Sequence, residues 1–320
     1  MEKGSRILVT GAAGFVGRRL VASLVEAGYV VRAMTHSGRN SQEGRQGVEA
    51  VRGDVTDPES LRHAMEGVRG VVHLVAIIRE DPPKVTFEHI NVEGTRNVVR
   101  AAREAHVQHF VHQSALGAVD NVHLGYNRAK WLSELEVRES GIPFTILRPA
   151  LLFGEGDEFM VTLAGLVRAS PVVPVPGDGK TMFQPLSVDD CVRCLTLSLQ
   201  HPQHIHQTYE IGGPERLSYN DIIRLIASVL GAKRALAHVP LAVMRPQVRL
   251  MEMLLPRPPA TSEQLKNLGI DNVTDVESVQ NYFGFRPLAP SNDLEYLRKV
   301  TRKDGITISL GRMPKHLRDH

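Results

Sequence analysis

Apolar positions change their spacing repeatedly along this chain, and each change marks an element. Ile7, Leu8 and Val9 form a short unbroken apolar run, the pattern of a strand buried on both faces. Phe15, Leu20, Val21, Leu24 and Val25 then share one face of a helix that ends near Gly28. Further strands are predicted at 29–34, 48–55, 71–77, 109–114 and 144–147. Helices are predicted at 58–67, capped by Thr56 or Asp57, from about 85 to 105, and from Tyr126 onward. Strands that alternate with amphipathic helices need right-handed crossovers, which gives an α/β, doubly wound parallel sheet covered on both faces.

Between the first strand and its helix lies Gly11-Ala12-Ala13-Gly14-Phe15-Val16-Gly17. Strand, tight glycine turn and helix make the geometry of a dinucleotide site, and a second strand follows at once. Without side chains at Gly11 and Gly14, a pyrophosphate can approach the backbone and meet the unpaired amides and positive end of the helix. Gly17 lets that helix lie close to the sheet. The fold is therefore read as Rossmann-type, with Gly11, Ala13, Gly14, Phe15, Val16 and Gly17 as the phosphate-side candidates.

The end of the second strand usually reads the adenosine ribose. A carboxylate there suits NAD(H), whereas NADP(H) needs the place free of negative charge. Here the strand runs into Thr35-His36-Ser37-Gly38-Arg39, with no acid. Arg32, His36, Ser37 and Arg39 offer charged and hydroxyl donors for a 2′-phosphate, which favours NADP(H) and leaves NAD(H) open. A solvated loop is the plainer reading of Arg39, since 37–47 is polar and glycine-rich.

Ser114 stands at the end of the fifth strand, and Tyr126 and Lys130 follow at the opening of a helix. Four residues apart, Tyr126 and Lys130 project from one helix face. A phenol is a poor base at neutral pH, but an adjacent ammonium favours the phenolate, so the pair suits hydride chemistry at a carbonyl. Lys130 would also hold the nicotinamide ribose, and Ser114 would donate to the substrate oxygen.

The glycine spacing and the serine, tyrosine and lysine together resemble the extended and atypical branches of the short-chain dehydrogenase/reductase family. That resemblance implies NADP(H) or NAD(H) as cofactor. It implies that Asp54 and Val55 border the adenine, that Val75 and Ala76 line the cofactor's far side, and that Asn91 ties its helix to the active-site strand. It also implies that the segment from Arg148 through Pro149 passes the nicotinamide end. In the second half, Gln184 and Pro185 depart from the Arg-Asp run of sugar-nucleotide epimerases in the same superfamily. Ser114-Ala115-Leu116-Gly117-Ala118, the 173–179 proline–glycine loop and the 261–273 region resemble the group related to the short-chain-dehydrogenase-like accessory subunit of respiratory complex I. That group includes proteins that hold NADPH without known turnover.

The 320 residues, 42% of them hydrophobic, allow one large domain or two. We expect a binding domain at 1–150 with a returning segment near 181–212, and a smaller, interleaved substrate or interaction lobe at 151–320. A net charge of +3 is too diffuse to point to nucleic acid. With no export signal or membrane-spanning run, the expectation is a cytoplasmic protein, peripheral to a membrane at most. Cys191 and Cys194 sit inside a predicted helix and read as packed thiols, and the histidine-rich 201–206 stretch reads as a solvated turn, so no metal site is expected. The methionine-rich apolar stretch 240–256 reads first as core, with a protein-assembly or membrane contact, or a greasy substrate pocket, as the alternatives. An oxidoreductase acting on an unidentified small molecule is the leading expectation. A non-catalytic NADP(H)-binding subunit of a larger assembly and a nucleotide-sugar epimerase or dehydratase are the others.

Overall fold

The computed structural model describes residues 1–37, 44–255, 258 and 260–317. Seven strands make one sheet: β1 (Arg6–Thr10), β2 (Val30–Thr35), β3 (Val48–Arg52), β4 (Gly70–His73), β5 (His109–Gln113), β6 (Phe144–Pro149) and β7 (Gln207–Ile211). Their order is β3-β2-β1-β4-β5-β6-β7, and every pairing is parallel. The strand order reverses between β1 and β4, and in open α/β sheets ligands bind outside the carboxyl ends of the strands at such a point. Helices α1 (Phe15–Glu26), α2 (Pro58–Ala64), α3 (Gly94–Glu104) and α4 (Gly125–Arg138) connect the strands. Leu8, Val71, Phe110 and Ile146 from the sheet pack with Leu61 and Val98 from the helices in one core.

Several elements are shorter than the apolar pattern predicts. β4 stops at His73, and the apolar residues after it leave the sheet, with the Leu74 amide donating to Thr10 Oγ1 at 3.2 Å. β3 stops at Arg52, because Asp54 turns the chain by accepting from the Thr56 amide at 2.9 Å. The helix predicted across 85–105 divides into a π-helix, Phe87–Glu93, and α3. Thr86 caps the first part through the His89 amide at 3.1 Å.

The chain separates into two compact units, one of 1–149 and 189–211, the other of 150–188 and the described residues from 212 to 317. In the second unit, helices Glu158–Ala169 and Tyr219–Val229 enclose a core with Val173, Val175, Leu297 and Ile308. The apolar stretch read as core is a helix, Leu241–Leu254, that buries Val248 and leaves Val243, Leu250, Met253 and Leu254 exposed. Its apolar residues occupy both faces, and the second unit covers one of them.

Candidate cofactor and catalytic site

The turn after β1 is shaped by what its glycines exclude. Gly11 has a φ of +70°, which disfavours a side chain. A Cβ on Gly17 would lie 2.1 Å from the Gly11 carbonyl oxygen, and one on Gly14 would lie 3.3 Å from it. The Gly14 amide closes the turn on that oxygen at 3.0 Å. Among the described residues no side chain caps the first turn of α1, and no acid stands in it. The amide end of α1 is thus left to an anion, and this cradle fits the pyrophosphate of a dinucleotide. Gly14 is exposed and Ala13 half-buried, whereas Val16 and Gly17 are buried and shape the cradle from behind. Phe15 is half-buried under the Arg19 guanidinium, 5.1 Å from its ring centroid.

At the ribose end, the β2–β3 register sets Arg32 opposite Glu49. Its Nη2 donates to Glu49 at 3.0 Å and its Nη1 to the Ala64 and Glu66 carbonyls at 3.1 and 2.7 Å. This withdraws Arg32 from the set predicted to hold a 2′-phosphate. His36 is exposed, with Nε2 at 3.1 Å from Asp54. Ser37 is exposed at the end of the described segment, and Arg39 lies outside the described residues. Asp54 also accepts from the Thr56 hydroxyl at 2.8 Å. Val55 is buried beneath α3, where a Cβ on Gly94 would stand 2.8 Å from its methyl, so its side chain serves the core.

A buried line of hydroxyls and one imidazole runs from β1 toward α4. Thr10 Oγ1 lies 2.7 Å from His73 Nδ1, and His73 Nε2 lies 3.1 Å from Thr95 Oγ1. The Thr95 hydroxyl donates to the Asn91 carbonyl at 2.6 Å, so its oxygen accepts from His73 Nε2–H, which leaves Nδ1 to accept from Thr10. Burial, with Lys130 adding to it, pushes His73 down to about 3, so this neutral tautomer is the one present at working pH. Ser133 on α4 donates to the same Asn91 carbonyl at 2.8 Å. The Asn91 side chain grips the Ile77 amide at 2.8 Å and its carbonyl at 3.1 Å. Asn91 therefore secures the segment leaving β4, which holds Val75 and Ala76, and is tied through its carbonyl to α4. The resemblance implied a tie from the Asn91 helix to the active-site strand. His112 stacks on His73 at 5.4 Å, buried, with neither ring nitrogen partnered among the described residues.

On α4, Tyr126, Lys130, Glu134 and Arg138 follow one another at intervals of four, a single stripe. Lys130 is 3% exposed, and its Nζ donates to the Gln113 carbonyl at the end of β5, at 2.6 Å. Burial lowers Lys130 to about 8, with Glu134 opposing the shift. Tyr126 packs edge-on against Phe87, ring centroids 5.9 Å apart. Burial drives its phenol up to about 12, which reverses the direction expected from an adjacent ammonium. The Ser114 hydroxyl donates to Glu134 at 2.5 Å. Glu134, 1% exposed, also accepts from Arg148 Nε and Nη2, both at 2.8 Å, and from Arg138 at 2.9 Å. Glu134 escaped the sequence reading although it continues the Tyr126–Lys130 spacing. Pro149 ends β6, and its carbonyl accepts from the Leu116 amide at 2.9 Å, closing the loop after Ser114 onto the sheet.

Among the described residues no cluster of His, Cys, Asp and Glu is arranged to hold a metal ion. Cys191 and Cys194 are free and buried, and burial pushes the Cys191 thiol up to about 12. A pocket of about 530 Å³ opens at the amino ends of the central strands, lined by Ser5, Arg69 and Gln108, which precede β1, β4 and β5.

Comparison with known proteins bears on this geometry. The family model described as the NAD dependent epimerase/dehydratase family matches residues 7–212. The ceramide reductase of Caulobacter vibrioides is 29% identical over 237 residues, covering 73% of each chain. The photosystem II assembly factor Ycf39 of Synechocystis is 24% identical over 331 residues, covering 94% of this chain and 97% of that one. A solved short-chain dehydrogenase/reductase superfamily protein from Agrobacterium tumefaciens, with bound NAD, superposes with a TM-score of 0.70 at 22% identity, over 96% of this chain and 100% of that one.

Proposed function

The chain belongs to the NAD-dependent epimerase/dehydratase family, and on that premise we propose that it is a nicotinamide-dependent oxidoreductase acting on a carbonyl or alcohol compound, with NADP(H) as the favoured cofactor. The observation that carries this reading is the placement of Tyr126 and Lys130 one turn apart on α4, with the Lys130 ammonium bonded at the carboxyl end of β5. A bound nicotinamide supplies or takes up the hydride. Tyr126, held protonated by burial, gives its proton to the substrate oxygen as charge develops there, which suits reduction of a carbonyl. Lys130 places positive charge behind that oxygen. Ser114 spends its own proton on Glu134, so its oxygen serves as an acceptor that positions its neighbours. A nucleotide sugar is disfavoured by Gln184, which is fully buried and spends its side chain on the Gly213 carbonyl at 2.7 Å and the Thr274 amide at 2.7 Å.

A second reading, a cofactor-holding assembly protein without turnover, is favoured by the committed Ser114 proton and by the Ycf39 relative. NADPH oxidation measured across aldehydes, ketones and quinones of increasing apolar length separates the two. Turnover that Tyr126→Phe removes supports the oxidoreductase. Saturable NADPH binding with no oxidation by any member of the panel replaces it with the assembly protein.

A further inference from the structure

The helix Leu241–Leu254 is apolar on both faces. Leu241, Met244, Val248 and Met251 turn inward, with Val248 3% exposed. Opposite them Ala242, Val243, Pro246, Leu250, Met253 and Leu254 form a continuous stripe toward solvent, with Met253 83% exposed. A helix of this pattern is normally buried all round, so its outer stripe is built to be covered.

The charges say by what. Arg245 and Arg249 lie one turn apart along one edge of the stripe, exposed, and neither is paired among the described residues. The helix's one acid, Glu252, is turned to the next helix, where it accepts from the Ser262 amide at 2.8 Å and the Ser262 hydroxyl at 2.6 Å. The outer surface is thus an apolar strip with a cationic border. A second copy packed antiparallel on the stripe would set one arginine edge against the other, which like charges oppose.

We propose that this helix lies flat on an anionic lipid surface, with Leu250, Met253 and Leu254 among the acyl chains and Arg245 and Arg249 at the phosphates. At 14 residues it is about 21 Å long, a length that suits the interface plane, and no helix among the described residues is long and apolar enough to cross a membrane. The inference stands apart from the catalytic reading.

Flotation of the full chain with vesicles tests it, using phosphatidylcholine alone and phosphatidylcholine mixed with phosphatidylglycerol. The expected result is partition onto the mixed vesicles that weakens with salt. The double variant Arg245→Ala/Arg249→Ala, which touches no packing, should partition about 30-fold more weakly. Leu250→Asp/Met253→Asp should abolish binding with an unchanged circular dichroism spectrum and thermal transition. Absence of partition onto the mixed vesicles, or undiminished binding by the aspartate variant, overturns the proposal. So does a concentration-dependent dimer that the aspartate variant dissolves, which would assign the stripe to a second copy.

Discussion

The hydroxyl of Ser114 donates to the carboxylate of Glu134 across 2.5 Å, so the serine expected to polarise the substrate has already committed its proton. A hydroxyl facing a carboxylate that also takes two arginines is held in one rotamer. Losing a true oxyanion donor costs about 10²–10³ in kcat, and losing a general acid about 10²–10⁴. Ser114→Ala should therefore cost about tenfold or less, against a loss of about a hundredfold or more for Tyr126→Phe. Steady-state rates of both variants on one substrate decide this, and equal losses would return Ser114 to the donor role.

Glu134 compensates two guanidiniums at once, and Arg148 reaches on to Glu210 at 3.1 Å. Removing one partner from a buried ion pair leaves the other charge uncompensated, which costs about 3–5 kcal/mol. Glu134→Gln retains the shape and loses the charge. Its thermal unfolding should show destabilisation of about 3 kcal/mol, largely recovered when Arg148 is also replaced by methionine. A double variant as unstable as the sum of the singles would mean that the network is not the cause.

The glycine turn separates two effects that are usually confounded. A methyl at Gly17 meets the backbone oxygen of Gly11 at 2.1 Å, so Gly17→Ala should displace the turn, lower stability by about 1–3 kcal/mol and abolish cofactor binding with it. At Gly14 the same methyl has 3.3 Å, points toward solvent, and stands where a diphosphate would approach. Gly14→Ala should fold with a melting temperature close to that of the parent and bind NADPH more weakly. Calorimetry and a binding titration on each variant check the contrast.

What sequence pattern revealed was local, and what it missed was long-range. Strand, glycine turn and helix are neighbours along the chain, and the Tyr126–Lys130 spacing maps directly onto a helix face. Arg32 looked free because its partner Glu49 is set by the register of two strands, which no local pattern records. The π-helix at 87–93 is invisible to a 3.6-residue period, yet it presents the Asn91 carbonyl to Thr95 and Ser133. The partial burial of Tyr126, which reverses the expected direction of its pKa, depends on Phe87 and the small apolar cluster around it. The 241–254 stripe was plain in sequence, but periodicity tells which residues share a face and says nothing about what covers it.

The Arg32–Glu49 pairing narrows the proposed basis for cofactor choice. With Arg32 committed to Glu49 and two carbonyls, the proposed preference for a 2′-phosphate rests on His36, Ser37 and Arg39. Arg39→Ala should weaken NADPH binding about tenfold while leaving NADH unchanged, as expected for loss of one charge-assisted contact. Arg32→Ala should lower stability and affect both cofactors alike. Titrations of the two variants with both nucleotides test the assignment, and equal losses for Arg39→Ala would end the NADPH preference.

The proposed reduction should depend on pH through two groups that titrate at different points. Tyr126, at about 12, keeps its proton throughout the neutral range, so the form able to donate is always present for reduction. Lys130, lowered to about 8 by burial, is an ammonium in neutral solution and loses its charge above that point. As Lys130 becomes neutral, the positive charge behind the substrate oxygen disappears and its stabilisation of the developing alkoxide goes with it. NADPH-dependent reduction should therefore be level through neutral pH and fall as pH rises through about 8. The reverse oxidation needs a phenolate and should climb as pH approaches the Tyr126 value. Lys130→Met should lower the rate at neutral pH and flatten the alkaline fall, since the group whose proton is lost is gone. Rates measured in both directions from neutral to alkaline pH check the assignment. If the fall persists in Lys130→Met, another group controls it, and Lys130 acts by holding the Gln113 carbonyl rather than by its charge.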